Sequence, residues 1–262
     1  MVLYLDGLKR ISIRIGGIVD LSTVDWPSRV CSVVFFSGCN FRCPFCQNGK
    51  LVNPNYGKCL EVEEVVKLIM RSKPLIEGVV ITGGECTLQP EGLVRLCQRL
   101  KEVGLIVGVD TNGSMPHVLD RLLQEKLVDR VAIDVKAPLE PKIYEGVVGL
   151  PGRGEDVVKN IDRSLNLLLE SGIEVEARFL VVPSMTSNAN YVREVAKKVR
   201  GATRFVIQQF RPEADLLDPS LKRLRAPTRQ ELLALARIAL EGGLSNVYIR
   251  TRERGLEKVK EG

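Results

Sequence analysis

The chain of 262 residues has one histidine, His117, one tryptophan, and aromatic residues at only 5% of its positions. A single imidazole excludes any centre built from several histidines, the two-His metalloprotease helix among them. Long apolar runs are absent too, and none approaches the ~20 residues that cross a bilayer. The opening residues, MVLYLDGLKR, carry charge inside their apolar stretch and offer no small-residue cleavage site, so no secretory leader is expected and the expected compartment is the cytoplasm, away from membranes. Fixed-period repeats and low-complexity stretches are also lacking. What remains, 45% apolar and 27% charged, is ordinary globular composition.

Seven cysteines stand against that background: Cys31, Cys39, Cys43, Cys46, Cys59, Cys86 and Cys97. An odd number in a chain with no secretory leader argues against a disulfide framework. The sulfur is to be explained as metal ligands, nucleophile or packing. The net charge of +6 is uneven. Residues 1–180 hold 22 Lys and Arg against 23 Asp and Glu, whereas residues 181–262 hold 16 against 9. The basic excess lies wholly in the last third, which reads as a solvated helical surface or as a docking face for a partner. No aromatic residue interleaves Lys222–Arg229, which counts against single-stranded nucleic acid.

Short runs rich in Val, Ile and Phe alternate with helical patterns. The strands are expected at Val30–Phe36, Gly78–Thr82, Leu105–Val109, Arg130–Val135, Glu174–Val182 and Arg204–Gln209, nearly all apolar, as strands buried on both faces are. The helices are expected at Glu61–Arg71, Glu91–Val103, Pro116–Glu125, Glu155–Leu169, Asn190–Val199 and Thr228–Glu241. Asn188 and Thr228 read as N-caps, the latter with Glu231 in a capping box. This α/β alternation requires parallel strands with right-handed crossovers, in an open doubly wound sheet or an incomplete (β/α) barrel. Ile11–Val19 reads as an N-terminal hairpin or edge strand, and Ser245–Arg250 as a final strand.

The residues after each strand carry the chemistry. Ser37–Cys46 follows the first, Gly83-Gly84-Glu85-Cys86 the second, Asp110-Thr111-Asn112-Gly113 the third, and Asp134-Val135-Lys136 closes the fourth. The fifth ends in Val182-Pro183-Ser184 and the sixth in Gln208-Gln209-Phe210-Arg211. Parallel α/β folds place ligands at this C-terminal end of the strands. Cys39, Cys43 and Cys46 make C-x3-C-x2-C in a single loop. Structural zinc takes four protein ligands in separated pairs, and the one histidine lies far along the chain. Closely spaced thiolates hold iron–sulfur clusters, normally four per cubane, so three leave one iron open to an outside ligand. Cys31, Cys59 and Cys97 read as packing residues. Cys86, at the same end of the sheet as the loop, stays open, and His117 reads as a surface residue.

This cysteine loop, with Phe45 at its aromatic position, resembles that of the radical S-adenosylmethionine (SAM) superfamily, and Gly83-Gly84-Glu85 resembles the same superfamily's SAM-binding segment. The stretches Gly17–Pro27 and Val33–Asn48, with Thr82–Glu85, Asp110–Gly113, Ala132–Pro138 and Val206–Pro212, resemble the glycyl-radical-enzyme activating proteins, in particular those for anaerobic ribonucleoside-triphosphate reductase. The resemblance, over roughly residues 10–250, implies a partial (β/α)6 TIM-like barrel, a single domain over 1–262. Its parts would be an N-terminal extension (1–28), a barrel core (29–212) and a basic C-terminal helix and tail (213–262). It implies a [4Fe-4S] cluster on Cys39, Cys43 and Cys46, and SAM held by Phe45, Gly83, Gly84, Glu85, Lys136 and Gln208. Asp110, Thr111 and Asp134 would flank a monovalent cation beside the SAM carboxylate. The implied reaction is reductive cleavage of SAM to a 5′-deoxyadenosyl radical that abstracts hydrogen from a glycine of a partner glycyl radical enzyme. An external low-potential donor such as ferredoxin or flavodoxin would supply the electron. Two departures stand out: Cys86 replaces a frequent proline, and the inserted CxxC pairs of some relatives are missing. Modification of RNA or another peptide, and a non-catalytic zinc-binding module, are the alternative readings.

Overall fold

The computed structural model describes residues 10–260. In chain order its elements are β1 (Ser12–Ser22), β2 (Cys31–Phe36), β3 (Lys58–Glu61), α1 (Val62–Met70), β4 (Gly78–Gly83), α2 (Pro90–Glu102), β5 (Ile106–Thr111) and α3 (Pro116–Gln124). There follow β6 (Arg130–Asp134), α4 (Pro141–Val148), α5 (Gly154–Glu170), β7 (Glu174–Val181), α6 (Ala189–Lys198), β8 (Arg204–Gln209), α7 (Arg229–Glu241), β9 (Val247–Thr251) and β10 (Gly255–Lys258). One sheet contains all the strands in the order β10-β9-β8-β7-β6-β5-β4-β2-β1-β3.

Strands β2, β4, β5, β6, β7, β8 and β9 run parallel. The six expected core strands are present. The final strand expected near Ser245–Arg250 is β9, parallel to β8, so the sheet extends past residue 212 and the last segment is more than a helix and tail. Its Val247 and Ile249 are fully buried, which is why it joins the sheet. At the other end β1 forms antiparallel pairs with β2 and β3. The short, hydrophilic β3 is the edge, and β1 lies inside it. The helix starts follow the chain's own signals. Asn188 accepts from the Asn190 and Tyr191 amides, Thr228 and Glu231 form the capping box, and Pro90 and Pro116 open α2 and α3.

Alternation along the strands divides the interior in two. Val34, Phe36, Val79, Ile81, Val107, Val109, Val131, Ile133, Phe179, Val181 and Ile207 face the helices in the main core. The opposite face is concave and holds a small apolar group, Trp26, Cys31, Val33 and Val80, then charge. Arg130 (β6) reaches Glu176 (β7) at 3.1 Å and Asp110 (β5) at 3.3 Å, and Arg204 (β8) reaches Glu174 at 3.0 Å. These pairs join neighbouring strands, whereas Arg178 of β7 reaches past β6 to Asp110 of β5 at 2.8 Å, as a curled sheet allows, and the two ends of the sheet, β10 and β3, are not paired with each other. The result is the open, TIM-like barrel expected.

Trp26 lies against this interior. Its indole N–H donates to Glu174 at 3.3 Å, the Arg130 guanidinium lies 5.6 Å from its ring centre, and its ring packs so near Gly108 that a Cβ there would sit 3.0 Å away. Among the described residues no helix is long and apolar enough to cross a membrane. Trp26→Ala is expected to cost about 3–5 kcal/mol in urea unfolding, the range for a large buried aromatic; a cost below about 1 kcal/mol would show that the ring is not part of the barrel's packing.

Candidate functional site

The cysteine loop leaves the C-terminal end of β2 and is held on three sides by backbone. From β4, the Gly84 amide donates to the Phe36 carbonyl and the Glu85 amide to the Gly38 carbonyl, each at 2.8 Å. The Arg42 amide donates to the Val148 carbonyl at the end of α4 at 2.9 Å. The amides of Leu217 and Asp218, beyond β8, donate to the carbonyls of Cys46 (3.1 Å) and Pro44 (2.9 Å). Phe41 and Phe45 anchor it by burial, at 1% and 3% exposure. Phe45 is therefore a core side chain here, packed among apolar neighbours.

Cys43 is buried, and Cys39 and Cys46 are partly open. Burial lifts the Cys39 thiol to about 11 and the Cys43 thiol to about 12, while Lys136 pulls both the other way. The Phe41 amide donates to Cys39 Sγ at 3.4 Å, and Asn112 Nδ2 lies 4.0 Å from the same sulfur. A sulfur-only donor set, amide donors aimed at sulfur and a nearby ammonium suit a thiolate-ligated iron–sulfur cluster. Among the described residues no three His, Cys, Asp or Glu side chains converge on one ion. A cubane does not need that convergence, since each thiolate binds a different iron.

The Gly-Gly-Glu segment joins β4 to the cysteine loop. A Cβ on Gly83 would lie 2.1 Å from the Phe36 carbonyl oxygen, and one on Gly84 would lie 2.3 Å from that of Gly38. The glycines let β4 approach the cysteine loop. The Glu85 carboxylate is enclosed, at 1% exposure. Its Oε1 accepts from the Thr87 amide (3.1 Å), Thr87 Oγ1 (2.6 Å) and Thr111 Oγ1 (2.8 Å), and its Oε2 from the Asn112 amide (2.6 Å). Burial raises its pKa, against the pull of these bonds. Glu85 thus ties the end of β5 to the turn that holds the cysteine loop.

Asp110 is likewise engaged. Arg178 Nη1 lies 2.8 Å and Arg130 Nη1 3.3 Å from its carboxylate. Two arginines thus face this carboxylate, and Thr111 gives its hydroxyl to Glu85. Asp134 pairs with Lys136 at 3.0 Å, and the Lys136 amide donates to the Tyr144 hydroxyl at 3.1 Å. The Lys136 ammonium sits in a buried setting that disfavours its charge, but Asp134 and Cys43 hold its pKa above the ordinary value. Gln208 is half-buried on the concave face, in register with Arg250 of β9.

Cys86 turns into the core, 0% exposed, with its thiol 3.5 Å from the Asp110 carbonyl oxygen. The structure resolves it as a packing residue, as it does Cys31 and Cys97. Cys59 is exposed on the edge strand β3, contrary to the packing expectation. His117 is exposed. Sequence reading passed over Asn112, Arg130, Arg178, Tyr144 and Arg250. The Asp-Thr-Asn-Gly stretch pointed to the first, whereas α4, which carries Tyr144, went unread.

The comparisons with known proteins agree with this geometry. The family model described as the radical SAM superfamily matches residues 33–199. A protein named as a glycyl-radical enzyme activating enzyme in Methanocaldococcus jannaschii is 36% identical over 237 residues, 90% of this chain and 95% of its own length. The pyruvate formate-lyase-activating enzyme of Clostridium pasteurianum is 32% identical over 192 residues, 71% of this chain and 76% of its own. A radical SAM methyltransferase from Sphaerobacter thermophilus shares the fold, with a TM-score of 0.62 at 20% identity over 86% of this chain and 67% of that one. The chain belongs to the radical SAM superfamily, whose members use a [4Fe-4S] cluster and SAM. Within it, the two sequence relatives are activating enzymes of glycyl-radical enzymes.

Glu85→Gln replaces one acceptor oxygen by a donor facing other donors. It is expected to lower unfolding free energy by about 1–3 kcal/mol, measured by urea denaturation. An unchanged midpoint would contradict the role given to Glu85.

Proposed function

We propose that this chain activates a glycyl radical enzyme by generating a radical from SAM within the open barrel. The observation that carries the reading is the backbone joint between the cysteine loop and the Gly83–Glu85 turn, which makes one rigid body of the cluster candidates and the segment that resembles a SAM site. Cys39, Cys43 and Cys46 would hold the cluster. When bound and reduced, it supplies the electron that splits SAM into methionine and a 5′-deoxyadenosyl radical.

The chain's own residues bind, orient and exclude water. The methionine ammonium would meet backbone around Gly83 and Gly84, because the Glu85 carboxylate is saturated. Lys136, poised by Asp134 and Tyr144 near Cys43, is the cation best placed for the SAM carboxylate. Trp26 and the buried ion pairs fill the barrel interior and keep bulk water from the radical. A glycine-bearing loop of the partner would enter where the sheet does not close. Anaerobic ribonucleoside-triphosphate reductase is the proposed partner, and a ferredoxin or flavodoxin the proposed electron donor. Some of the basic residues of the last third are paired internally, among them Arg225 with Glu231, Arg229 with Glu257 and Arg252 with Glu213.

Anaerobic reconstitution with iron and sulfide, then reduction with SAM present, should yield 5′-deoxyadenosine. Alanine at Cys39, Cys43 or Cys46 should abolish it, whereas Cys86→Ala should keep it within about twofold, since that thiol faces the core. Zinc without a brown chromophore in anaerobically purified protein, or no 5′-deoxyadenosine from the intact chain, would overturn the reading.

A further inference from the structure

The charge lining the barrel interior does not balance. Four guanidiniums, Arg130, Arg178, Arg204 and Arg250, share three carboxylates, Asp110, Glu174 and Glu176, while Asp134 and Lys136 neutralise each other. Three of the arginines make at least one hydrogen bond to these carboxylates, although Arg130 leaves its Nε and Nη2 without one. Arg178 donates to Glu176 at 2.6 Å and to Asp110 at 2.8 Å, Arg204 donates to Glu176 at 3.3 Å, and Arg130 donates to Asp110 at 3.3 Å.

Arg250 is the one that hydrogen-bonds to none of the three carboxylates. It stands on the concave face of β9, since its neighbours Val247 and Ile249 are fully buried among the helices. The nearest carboxylate oxygen, on Glu176, is 3.8 Å from its Nη2, and that buried nitrogen has no hydrogen-bond partner. The side chain is 20% exposed, so it is not wholly enclosed. A buried donor without a partner is costly, and an unpaired buried charge more so. Glu176 cannot relieve it, because that carboxylate already serves Arg130, Arg178 and Arg204.

We infer that Arg250 is the anchor for a carboxylate that enters the barrel with a ligand, and that Gln208, opposite it in register, borders the same subsite. An anion there would restore neutrality and occupy the unpaired donor through a charge-assisted bond. The carboxylate is either that of SAM, shared between Lys136 and Arg250, or one carried by the second substrate. The chemistry required of both is the same.

The test uses reconstituted, unreduced holoenzyme, so that nothing turns over, and follows Arg250→Leu and Arg250→Lys by calorimetric titration and thermal unfolding. If SAM is the source, Arg250→Leu weakens SAM binding by about tenfold or more, the loss of one charged hydrogen bond. Arg250→Lys retains part of the affinity, and decarboxylated SAM binds both proteins alike. If the second substrate is the source, SAM affinity is unchanged, and acetate at constant ionic strength raises the melting temperature of wild type but not of Arg250→Leu. In either case Arg250→Leu without ligand melts no lower than wild type, because it removes a charge that lies 3.8 Å from its nearest carboxylate and makes no hydrogen bond to it. A large fall in its unliganded melting temperature would make Arg250 a structural partner of Glu176 and overturn the inference. So would responses to SAM and acetate that are the same in both proteins. Absence of 5′-deoxyadenosine from reduced wild type would count against the proposed function and leave the carboxylate measurements to be judged on their own.

Discussion

The buried Glu85 carboxylate is the fixed point of this molecule. Through Thr111 and the Asn112 amide it binds the end of β5, and through Thr87 it closes its own turn. The same turn gives two backbone hydrogen bonds to the cysteine loop. The loop that would carry a cluster and the strands that would carry SAM are thereby one unit. A site for radical chemistry needs this rigidity, because a misplacement of about 1 Å costs orders of magnitude in an oriented reaction. The glycines at 83 and 84 are part of the same constraint, since any side chain there would drive β4 off the loop.

Behind that unit the barrel is filled with charge rather than with layers of branched aliphatic side chains. Asp110, Arg130, Glu174, Glu176, Arg178 and Arg204 form ion pairs with Trp26 laid across them. Such a network contributes little net stability over an apolar core of the same volume, but breaking one partner is strongly destabilising. It holds the sheet to one curvature, and its surplus guanidinium on β9 leaves the interior ready for an anion.

Much of this was legible in the sequence. The parallel strands announced themselves by continuous Val, Ile and Phe, and the site by polar residues at every strand end. C-x3-C-x2-C with Gly-Gly-Glu in step identified the chemistry, and the family model and relatives agree. Short, hydrophilic β3 and the eight-residue α4 gave no periodic signal strong enough to read. The roles of Glu85, Phe45 and Asp110 were also not readable. A carboxylate or an aromatic looks the same in sequence whether it faces a ligand or a neighbouring strand, and only the fold brings Thr111, Asn112 and Arg178 to them. Trp26 shows the limit plainly: its partner Glu174 lies 148 positions along the chain.

The central claim is that this rigid unit generates a radical for transfer to another protein. The direct measurement is electron paramagnetic resonance on a purified anaerobic ribonucleoside-triphosphate reductase mixed anaerobically with the reconstituted, reduced protein and SAM. The account predicts a glycyl radical signal on the reductase that requires SAM and disappears with Cys43→Ala. Formation of 5′-deoxyadenosine with no radical on that reductase, or on any other glycyl radical enzyme offered, would contradict the transfer and leave only the cleavage.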